Sequence, residues 1–264
     1  ARLKSLDPER LDMDPAVLRD DMVDSLEHET KALVQSEAVA TALRTVPRHE
    51  FVPADADRGA YLDQSFDYRG TRTLSPSTVA RLLEALDAGA DDSVLVVGVG
   101  VGYTAAVLAE IVGERNVHAV DITRAIVYDT RRNLGSAGYG GVFVDCRDGA
   151  DGLPEYAPFD RILVEAAAVE PPRALLRQLA PDGQLVMPLG SGDQHLVVVE
   201  CEAADHPEVV DRCGSVAFAP LLVEGEQSGA IERNRTARED REHAERHAQV
   251  QRGWEHEWID WDDG

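Results

Sequence analysis

The sequence predicts an α/β protein built on a doubly wound, mostly parallel, Rossmann-like sheet that ends in an antiparallel strand. From Val94 onward, short apolar runs alternate with segments of helical periodicity, as expected for parallel strands covered by helices on both faces. Near the end of this block, Gly190-Ser-Gly-Asp193 separates two apolar runs and predicts a hairpin. A hairpin reverses the chain, so the last strand of the sheet should be antiparallel.

The chain before the alternating block is predicted to be helical at first and then irregular. Apolar residues recur at near-helical spacing from Pro15 to about Leu43, which indicates two helices. Prolines bracket an apolar pair in residues 46–53, and Ala60–Gly70 shows no clear period, so both stretches are predicted to be irregular. We therefore separate residues 1–72 as an N-terminal segment.

A helix is predicted to begin directly after Ser75. Ser75 precedes Pro76, and a serine N-cap followed by a proline in the first turn is a favoured start for a helix. The apolar positions of this helix continue to about Ala88. Taken alone, Ser75 needs no role beyond that cap.

The alternating block, residues 73–225, is predicted to be the main domain. Its strands are expected at residues 94–97, 117–120, 142–145, 161–164 and 184–188, and its helices at residues 103–112, 123–134 and 172–179. The hairpin partner is expected at residues 196–201, and a further strand near residues 216–218.

The charge of the chain argues against nucleic acid as a partner. Its 264 residues include 49 acidic and 26 basic side chains, for a formal net charge of −23, whereas phosphate binding requires clustered lysine and arginine. The acidic residues are spread along the chain. We therefore favour adaptation of the whole surface to high salt, as in halophilic proteins, over a single acidic surface for a partner.

Neither a membrane nor an oxidising compartment is indicated. No apolar run approaches the roughly 18 residues of a membrane span, and the chain opens without the apolar stretch of a secretion signal. Cys146, Cys201 and Cys213 lack the spacing of disulfides or zinc sites, and the eight histidines lack the spacing of metal ligands. We expect a cytoplasmic protein without a metal site.

Residues 226–264 are predicted to form a charged C-terminal tail. Arg, Glu and His dominate most of it, with opposite charges four residues apart and almost no apolar face. Its end carries all three tryptophans of the chain, Trp254, Trp258 and Trp261, which would share one face of a helix. That face could dock on the main domain or place aromatic anchors in a groove of a protein partner.

The main candidate for ligand binding is the turn after the strand at residues 94–97. Gly98, Gly100 and Gly102 occupy alternate positions where a buried strand must turn sharply into a helix and let a ligand approach the backbone. This spacing differs from the dinucleotide motif G-x-G-x-x-G. It is typical of the nucleoside-binding loop in S-adenosylmethionine (SAM) methyltransferases, although Val96 replaces their usual acid two positions before the first glycine.

Two acidic residues at later strand ends support a nucleoside site. Asp121 ends the strand at residues 117–120, where a carboxylate can accept both hydroxyls of a ribose. Asp148, followed by Gly149, comes after the next strand, where a carboxylate can accept a hydrogen bond from an adenine amino group. Such strand ends border the ligand crevice of an open α/β sheet. Asp148 could equally serve only to stabilise its own turn.

Over roughly residues 20–225 the sequence resembles the protein-L-isoaspartate O-methyltransferase family. The segments that carry the resemblance are Val46–Pro53, Thr73–Ser75, Val94–Leu95, Gly98–Ala109, Asp148–Gly149, Pro158–Ile162, Ala166–Ala168 and Gly183–Pro188. The resemblance implies a SAM-dependent methyltransferase fold and a repair enzyme that methylates isoaspartyl residues in damaged proteins or peptides. It also implies that Ser75 is the active-site hydroxyl with Thr73 as its neighbour. The SAM contacts that it implies are Gly98, Gly100, Gly102, Tyr103, Asp121, Asp148 and Gly149.

Two departures from the family pattern leave other functions open. One is Val96, and the other is the loop after Thr73–Ser75, which is one residue shorter than usual and has Ser77 where the family has histidine. One alternative is a methyltransferase-fold protein with a different substrate. The other is a non-catalytic SAM-binding adaptor that recruits a partner through residues 226–264.

Overall fold

The computed structural model describes residues 14–201 and 207–222. The predictions for residues 226–264, including the tryptophan face, lie outside the described residues. Helices are α1 (Pro15–Glu27), α2 (Glu37–Thr45), α3 (Pro76–Leu86), α4 (Tyr103–Val112), α5 (Arg124–Ala137) and α6 (Arg173–Leu176). Strands are β1 (Phe66–Tyr68), β2 (Thr71–Thr73), β3 (Val94–Val97), β4 (Val117–Asp121), β5 (Phe143–Cys146), β6 (Phe159–Val164), β7 (Leu179–Leu189), β8 (Gln194–Cys201) and β9 (Pro207–Val216). Within the described ranges, no helix combines the length and the apolar character needed to cross a membrane.

A seven-stranded sheet forms the centre of the protein, in the order β5-β4-β3-β6-β7-β8-β9. Strands β3 to β7 run parallel, whereas β8 is antiparallel to β7 and β9 is antiparallel to β8. The chain moves outward from β3 to β5 and then returns to β6 on the other side of β3. The predicted doubly wound fold with an antiparallel end is therefore confirmed.

The sheet separates two hydrophobic cores, because successive residues of a strand face opposite sides. Val94 and Val96 of β3 face a core that also contains α3, α4 and the N-terminal helices. Leu95 and Val97 face the second core, together with α6. Residues of the N-terminal segment, such as the fully buried Leu43, are therefore packed into the same core as the glycine turn and its helix.

The prediction of a helix over residues 172–179 is wrong for most of that range. Only the single turn α6 is helical, because Leu179 already pairs with Phe159 as the first residue of β7. Pro181-Asp-Gly183, which resembles a turn in the sequence, lies within β7 as an irregularity whose central residue has φ of 62°. The strand predicted from the sequence is the second half of this longer strand.

Two further elements differ from their predicted positions. The strand expected near residues 216–218 is β9, which begins earlier, at Pro207. Its position is mispredicted because an exposed edge strand shows no alternation of apolar and polar residues. The stretch before Gly70, predicted to be irregular, contains β1, which pairs with β2. Arg69 and Gly70 connect these strands with φ of 45° and 87°, the positive values that a tight two-residue hairpin requires.

Strand β9 forms one edge of the sheet and is largely exposed. Its side chains include the exposed valines Val209 and Val210. It begins with Pro207, carries Glu208 and Asp211, and shifts register against β8 at two points. The edge is therefore neither flat nor regular.

The β1–β2 hairpin is fastened to α5 through Asp129. The Asp129 carboxylate is buried and accepts a hydrogen bond of 2.8 Å from the Tyr68 hydroxyl. The guanidinium groups of Arg69 and Arg132 pair with it at 3.2 and 3.1 Å. Since the hairpin leads directly into Thr73–Ser75, this contact helps to fix where that segment lies.

We predict that Asp129→Ala lowers the free energy of unfolding by about 1–3 kcal/mol, because the Tyr68 hydroxyl and two guanidinium groups lose their acceptor. Asp67→Ala is the matched control in the same hairpin, since the Asp67 side chain is 92% exposed. It should change stability by less than about 0.5 kcal/mol. Urea unfolding followed by circular dichroism compares the two, and equal stabilities would show that the Asp129 contact is dispensable.

Candidate functional site

The turn from β3 into α4 is held in an uncommon backbone conformation. Gly98, Gly100 and Gly102 have φ of 78°, 53° and 94°, in the left-handed region that favours glycine. The N–H groups of Gly98 and Val99 both donate to the Val120 carbonyl, at 2.9 and 3.1 Å. The turn therefore lies against the carboxyl end of β4.

Helix α5 fixes the other side of the turn. The Thr130 hydroxyl donates to the Gly100 carbonyl, and the Asn133 side-chain amide donates to the Val101 carbonyl at 3.1 Å. A Cβ atom on Gly102 would lie 2.9 Å from the methyl carbon of Thr130. Glycine is required at this position for space as well as for its φ.

Asp121 lies at the carboxyl end of β4, beside the turn. Its Oδ2 accepts from the Gly100 N–H at 3.3 Å, and its Oδ1 accepts from the Thr123 N–H at 2.8 Å. Burial raises the pKa of this carboxyl, and the two backbone N–H groups partly offset the rise. A carboxylate offers about four acceptor positions. Both oxygens therefore keep the capacity for ligand hydroxyls that the predicted role of Asp121 requires.

Asp148 and Gly149 follow β5 in a tight turn. The Asp148 Oδ1 accepts from the Ala150 N–H at 2.8 Å, so this side chain stabilises its own turn, one of the two roles considered for it. A Cβ atom on Gly149 would overlap the Val97 side chain. The glycine therefore lets this loop pack closely against the end of β3, and the adenine contact of Asp148 stays a prediction.

Thr73 and Ser75 both make structural hydrogen bonds. The buried Thr73 hydroxyl donates to the Phe51 carbonyl at 2.6 Å, which ties this segment to residues 46–53. Ser75 is the N-cap of α3, where its half-buried Oγ accepts from the Thr78 N–H at 3.3 Å. The predicted N-cap is confirmed, and the catalytic roles of Ser75 and Thr73 stay predictions.

Tyr103 begins α4, but its ring is buried in the core. The Arg48 guanidinium lies 4.8 Å from the centre of this ring, and the Phe51 ring lies 5.7 Å away. Burial raises the pKa of Tyr103 to about 12. Any contact of Tyr103 with a ligand at the turn is thus left to its main chain, and the predicted SAM contact stays a prediction.

Glu165 is a residue of the site that the sequence reasoning missed. It follows β6 directly, and its N–H donates to the Val97 carbonyl at 2.8 Å. Its Oε1 is buried and accepts no hydrogen bond from any described residue. Loss of solvation raises the pKa of this carboxyl to about 8, with a lowering contribution from Thr104 and a raising one from Asp121. The available signal was an acidic residue placed directly after an apolar strand.

The turn, Asp121 and Glu165 meet where the carboxyl ends of β4, β3 and β6 lie side by side. Doubly wound sheets bind ligands at this point, where the order of the strands reverses. The Thr71 hydroxyl lies 3.0 Å from the position of a Cβ atom on Gly100, so the segment that leads to Ser75 also reaches the turn. Approachable backbone and two carboxyl groups suit a ligand that carries hydroxyls and a positive charge.

A separate cavity of about 480 Å³ lies between residues 49–54 and α5. Its wall includes Asp57, Tyr68 and Arg132, and it shares Val101 with the turn. None of the predicted site residues lines it. We therefore treat this cavity as distinct from the candidate site.

Comparison with known proteins gives this geometry a family context. The family model described as protein-L-isoaspartate(D-aspartate) O-methyltransferase matches residues 19–227. A protein-L-isoaspartate O-methyltransferase of Aeropyrum pernix is 41% identical over 196 residues, which cover 73% of this chain and 75% of the relative. One of Methanosarcina mazei is 37% identical over 207 residues, covering 78% and 83%.

One solved structure is similar over most of its length. It is a Plasmodium falciparum protein described as a protein-L-isoaspartate O-methyltransferase, in complex with S-adenosyl-L-homocysteine. The TM-score is 0.65 at 20% identity, and the match covers 77% of this chain and 98% of that one. At this identity the likeness supports the fold alone.

We predict that Glu165→Gln stabilises the ligand-free protein increasingly as the pH rises from about 5 to 8. The folded pKa is about 8, whereas an unfolded glutamate titrates near 4.3. Between these values folding takes up a proton, so the stability of the wild type falls as the pH rises, and glutamine removes that fall. Thermal melting of both proteins at pH 5 and at pH 8 measures this difference in stability. A difference that is the same at both pH values would contradict the raised pKa.

A pair of glycine variants tests the turn. Gly102→Ala should lower the free energy of unfolding by at least about 2 kcal/mol, from the strained φ and the overlap with Thr130. Gly135→Ala in α5 is the control, because a Cβ atom there meets nothing within 4 Å. It should stabilise the helix by up to about 1 kcal/mol. Denaturant unfolding measures both, and a Gly102→Ala protein as stable as the wild type would show that the turn relaxes.

Proposed function

Because the chain belongs to the protein-L-isoaspartate(D-aspartate) O-methyltransferase family, we propose that it is a SAM-dependent carboxyl methyltransferase. Its substrates are isoaspartyl residues in damaged proteins or peptides, whose free carboxylate receives the methyl group. The observation that carries the proposal is the family match over residues 19–227. This match spans the glycine turn, both predicted cofactor acids and the Thr73–Ser75 segment in one continuous stretch.

The described residues fit SAM. When bound, this cofactor supplies a methyl group on a positively charged sulfur. The glycine turn leaves its backbone open to close approach, and Asp121 keeps acceptor capacity for ribose hydroxyls. Asp148 lies after the next strand, on the side proposed for the adenine. The buried, unpartnered Oε1 of Glu165 is a further sign of a polar and positively charged ligand.

The reaction requires no general base from the protein. A carboxyl group with an ordinary pKa near 4 is already ionised at neutral pH. Bound SAM would supply the methyl group, and an ionised carboxylate could accept it without giving up a proton. The neighbouring backbone nitrogen can then attack the ester carbonyl and close a succinimide, and methanol leaves with the proton of the amide.

The protein's task is to align the two reactants and to exclude water. Ser75 is the proposed contact for the substrate, because its half-buried hydroxyl at the start of α3 can donate to a carboxylate. Thr73 would help by holding this segment in place, because its hydroxyl donates a hydrogen bond to the Phe51 carbonyl. The short loop through Ser77 leaves open a substrate that differs from a simple isoaspartyl peptide.

We further infer a cytoplasmic setting in a salt-adapted cell. The net charge of −23 supports this inference, because high salt screens the repulsion between so many acidic groups. The same charge disfavours nucleic acid as a substrate. A protein partner for Trp254–Trp261 stays a prediction that concerns the tail alone.

Methyl transfer to an isoaspartyl peptide tests the proposed activity. With isotopically labelled SAM at high salt, we expect label on the isoaspartyl peptide and none on the same peptide with ordinary aspartate. Absence of transfer by a protein that binds SAM would refute the isoaspartyl substrate and favour a different one.

Asp121→Asn tests the proposed cofactor site. We expect SAM to bind about tenfold or more weakly, because the ribose hydroxyls lose a charged acceptor. Asp151→Asn, an exposed change close to Asp148, is the control and should leave affinity unchanged. Calorimetric titration measures both, and equal affinities for the two variants would remove Asp121 from the site.

A further inference from the structure

We propose that Glu165 binds the α-ammonium group in the methionine part of SAM. This inference rests on the proposed function, because it names a further residue of the same cofactor site. Glu165 lies outside the segments that carry the family resemblance, between Pro158–Ile162 and Ala166–Ala168. Neither the glycine motif nor the acids after β4 and β5 include it.

The register of the sheet places Glu165 beside the glycine turn. Val96 of β3 pairs with Leu163 of β6, and Glu165 follows Leu163 by two residues on the same face of the sheet. The main-chain carbonyl of Glu165 lies 3.7 Å from the position of a Cβ atom on Gly98. The acid therefore comes from the neighbouring strand, beside Gly98 and two residues beyond the position that pairs with the apolar Val96.

The carboxyl group of Glu165 lacks a counter-charge in the described structure. Its Oε1 is buried without a hydrogen-bond partner among these residues, and the charged group that influences it is the carboxylate of Asp121. Two neighbouring carboxyls without a cation disfavour ionisation of both. A buried anion is stabilised only when it is paired and hydrogen-bonded. A ligand that supplies both a positive charge and an N–H donor would therefore stabilise the ionised form of Glu165.

The chemistry of SAM selects one of its two cationic groups. The sulfonium carries a positive charge but no hydrogen that could bond to Oε1. The α-ammonium carries a positive charge and three N–H donors, as in a lysine side chain. It is the group that satisfies both requirements of Glu165, and Asp121 remains available for the ribose.

A titration series with three ligands tests this assignment. Glu165→Gln should weaken SAM and S-adenosyl-L-homocysteine by about tenfold to a hundredfold, because each loses a hydrogen bond to a charged group. The affinity for 5′-methylthioadenosine, which lacks the amino-acid part, should stay within about twofold. Glu170→Gln, an exposed change in the following loop, is the matched control and should leave all three affinities unchanged.

The outcomes separate this proposal from the proposed function. Unchanged binding of SAM by Glu165→Gln, or equal weakening of all three ligands, would overturn the assignment while the methyltransferase stands. A larger loss for SAM than for S-adenosyl-L-homocysteine would point to the sulfonium and would also overturn it. A wild-type protein that binds none of the three ligands would overturn both proposals.

Proton release gives a second readout that a merely structural role would not produce. The pKa of about 8 means that Glu165 is protonated in the ligand-free protein at pH 6.5, and pairing with an ammonium would ionise it. Calorimetry of S-adenosyl-L-homocysteine binding in buffers of different ionisation enthalpy should show release of nearly one proton by the wild type. Glu165→Gln should release almost none. Equal release by both proteins would assign the proton to another group.

Discussion

A buried guanidinium group holds the N-terminal part of the chain against the glycine turn. Arg48 is fully buried, and its side chain donates to the Ala60 and Gln64 carbonyls at 2.7 and 3.1 Å. Its charged plane lies over Tyr103, the first residue after the glycines. Taking a guanidinium out of water costs several kcal/mol unless it is bonded. The chain between α2 and β1, whose regular structure consists of two short 3₁₀ helices at Arg48–Phe51 and Asp57–Gly59, is therefore held on a defined course.

The turn is supported from several directions before any ligand binds. Helix α5 holds two of its carbonyls, β4 binds its first N–H groups, and Asp121 accepts from Gly100. Asp129, which directly precedes Thr130 in α5, holds the hairpin that leads to Ser75. The glycine turn and the segment that leads to Ser75 are thus positioned by the same helix. Because the turn is already ordered, little conformational entropy is lost when a ligand binds to it and is aligned there.

Most of the fold could be predicted from the sequence, because the buried parallel strands and their helices have strong apolar patterns. Strand β3 and helix α4 lie at their predicted positions. The errors occur where the pattern is weak, as at β9, which is exposed, and at Pro181–Gly183, where turn residues lie inside a strand. Local composition cannot show that a distant strand will pair across such an irregularity.

The candidate site could be predicted only in part, for a similar reason. The glycines and Asp121 belong to motifs that can be read along the chain, and the structure brings them together. The sequence shows Glu165 directly after an apolar strand, but only the pairing of β3 with β6, which joins residues nearly seventy positions apart, places it beside the glycine turn. An acid absent from one strand and present on its neighbour cannot be recognised before the register is known. Sequence position alone therefore understates how many carboxyl groups meet at the glycine turn.

The edge strand β9 has a consequence for the behaviour of this protein in concentrated brine. An exposed edge invites pairing with the edge of another molecule, and charged side chains are one common protection against such aggregation. High salt shortens the range of charge repulsion to a few ångströms, so Glu208 and Asp211 protect this edge less there. Pro207 and the two register shifts against β8 act through shape instead. A barrier made of backbone geometry keeps its effect at any ionic strength.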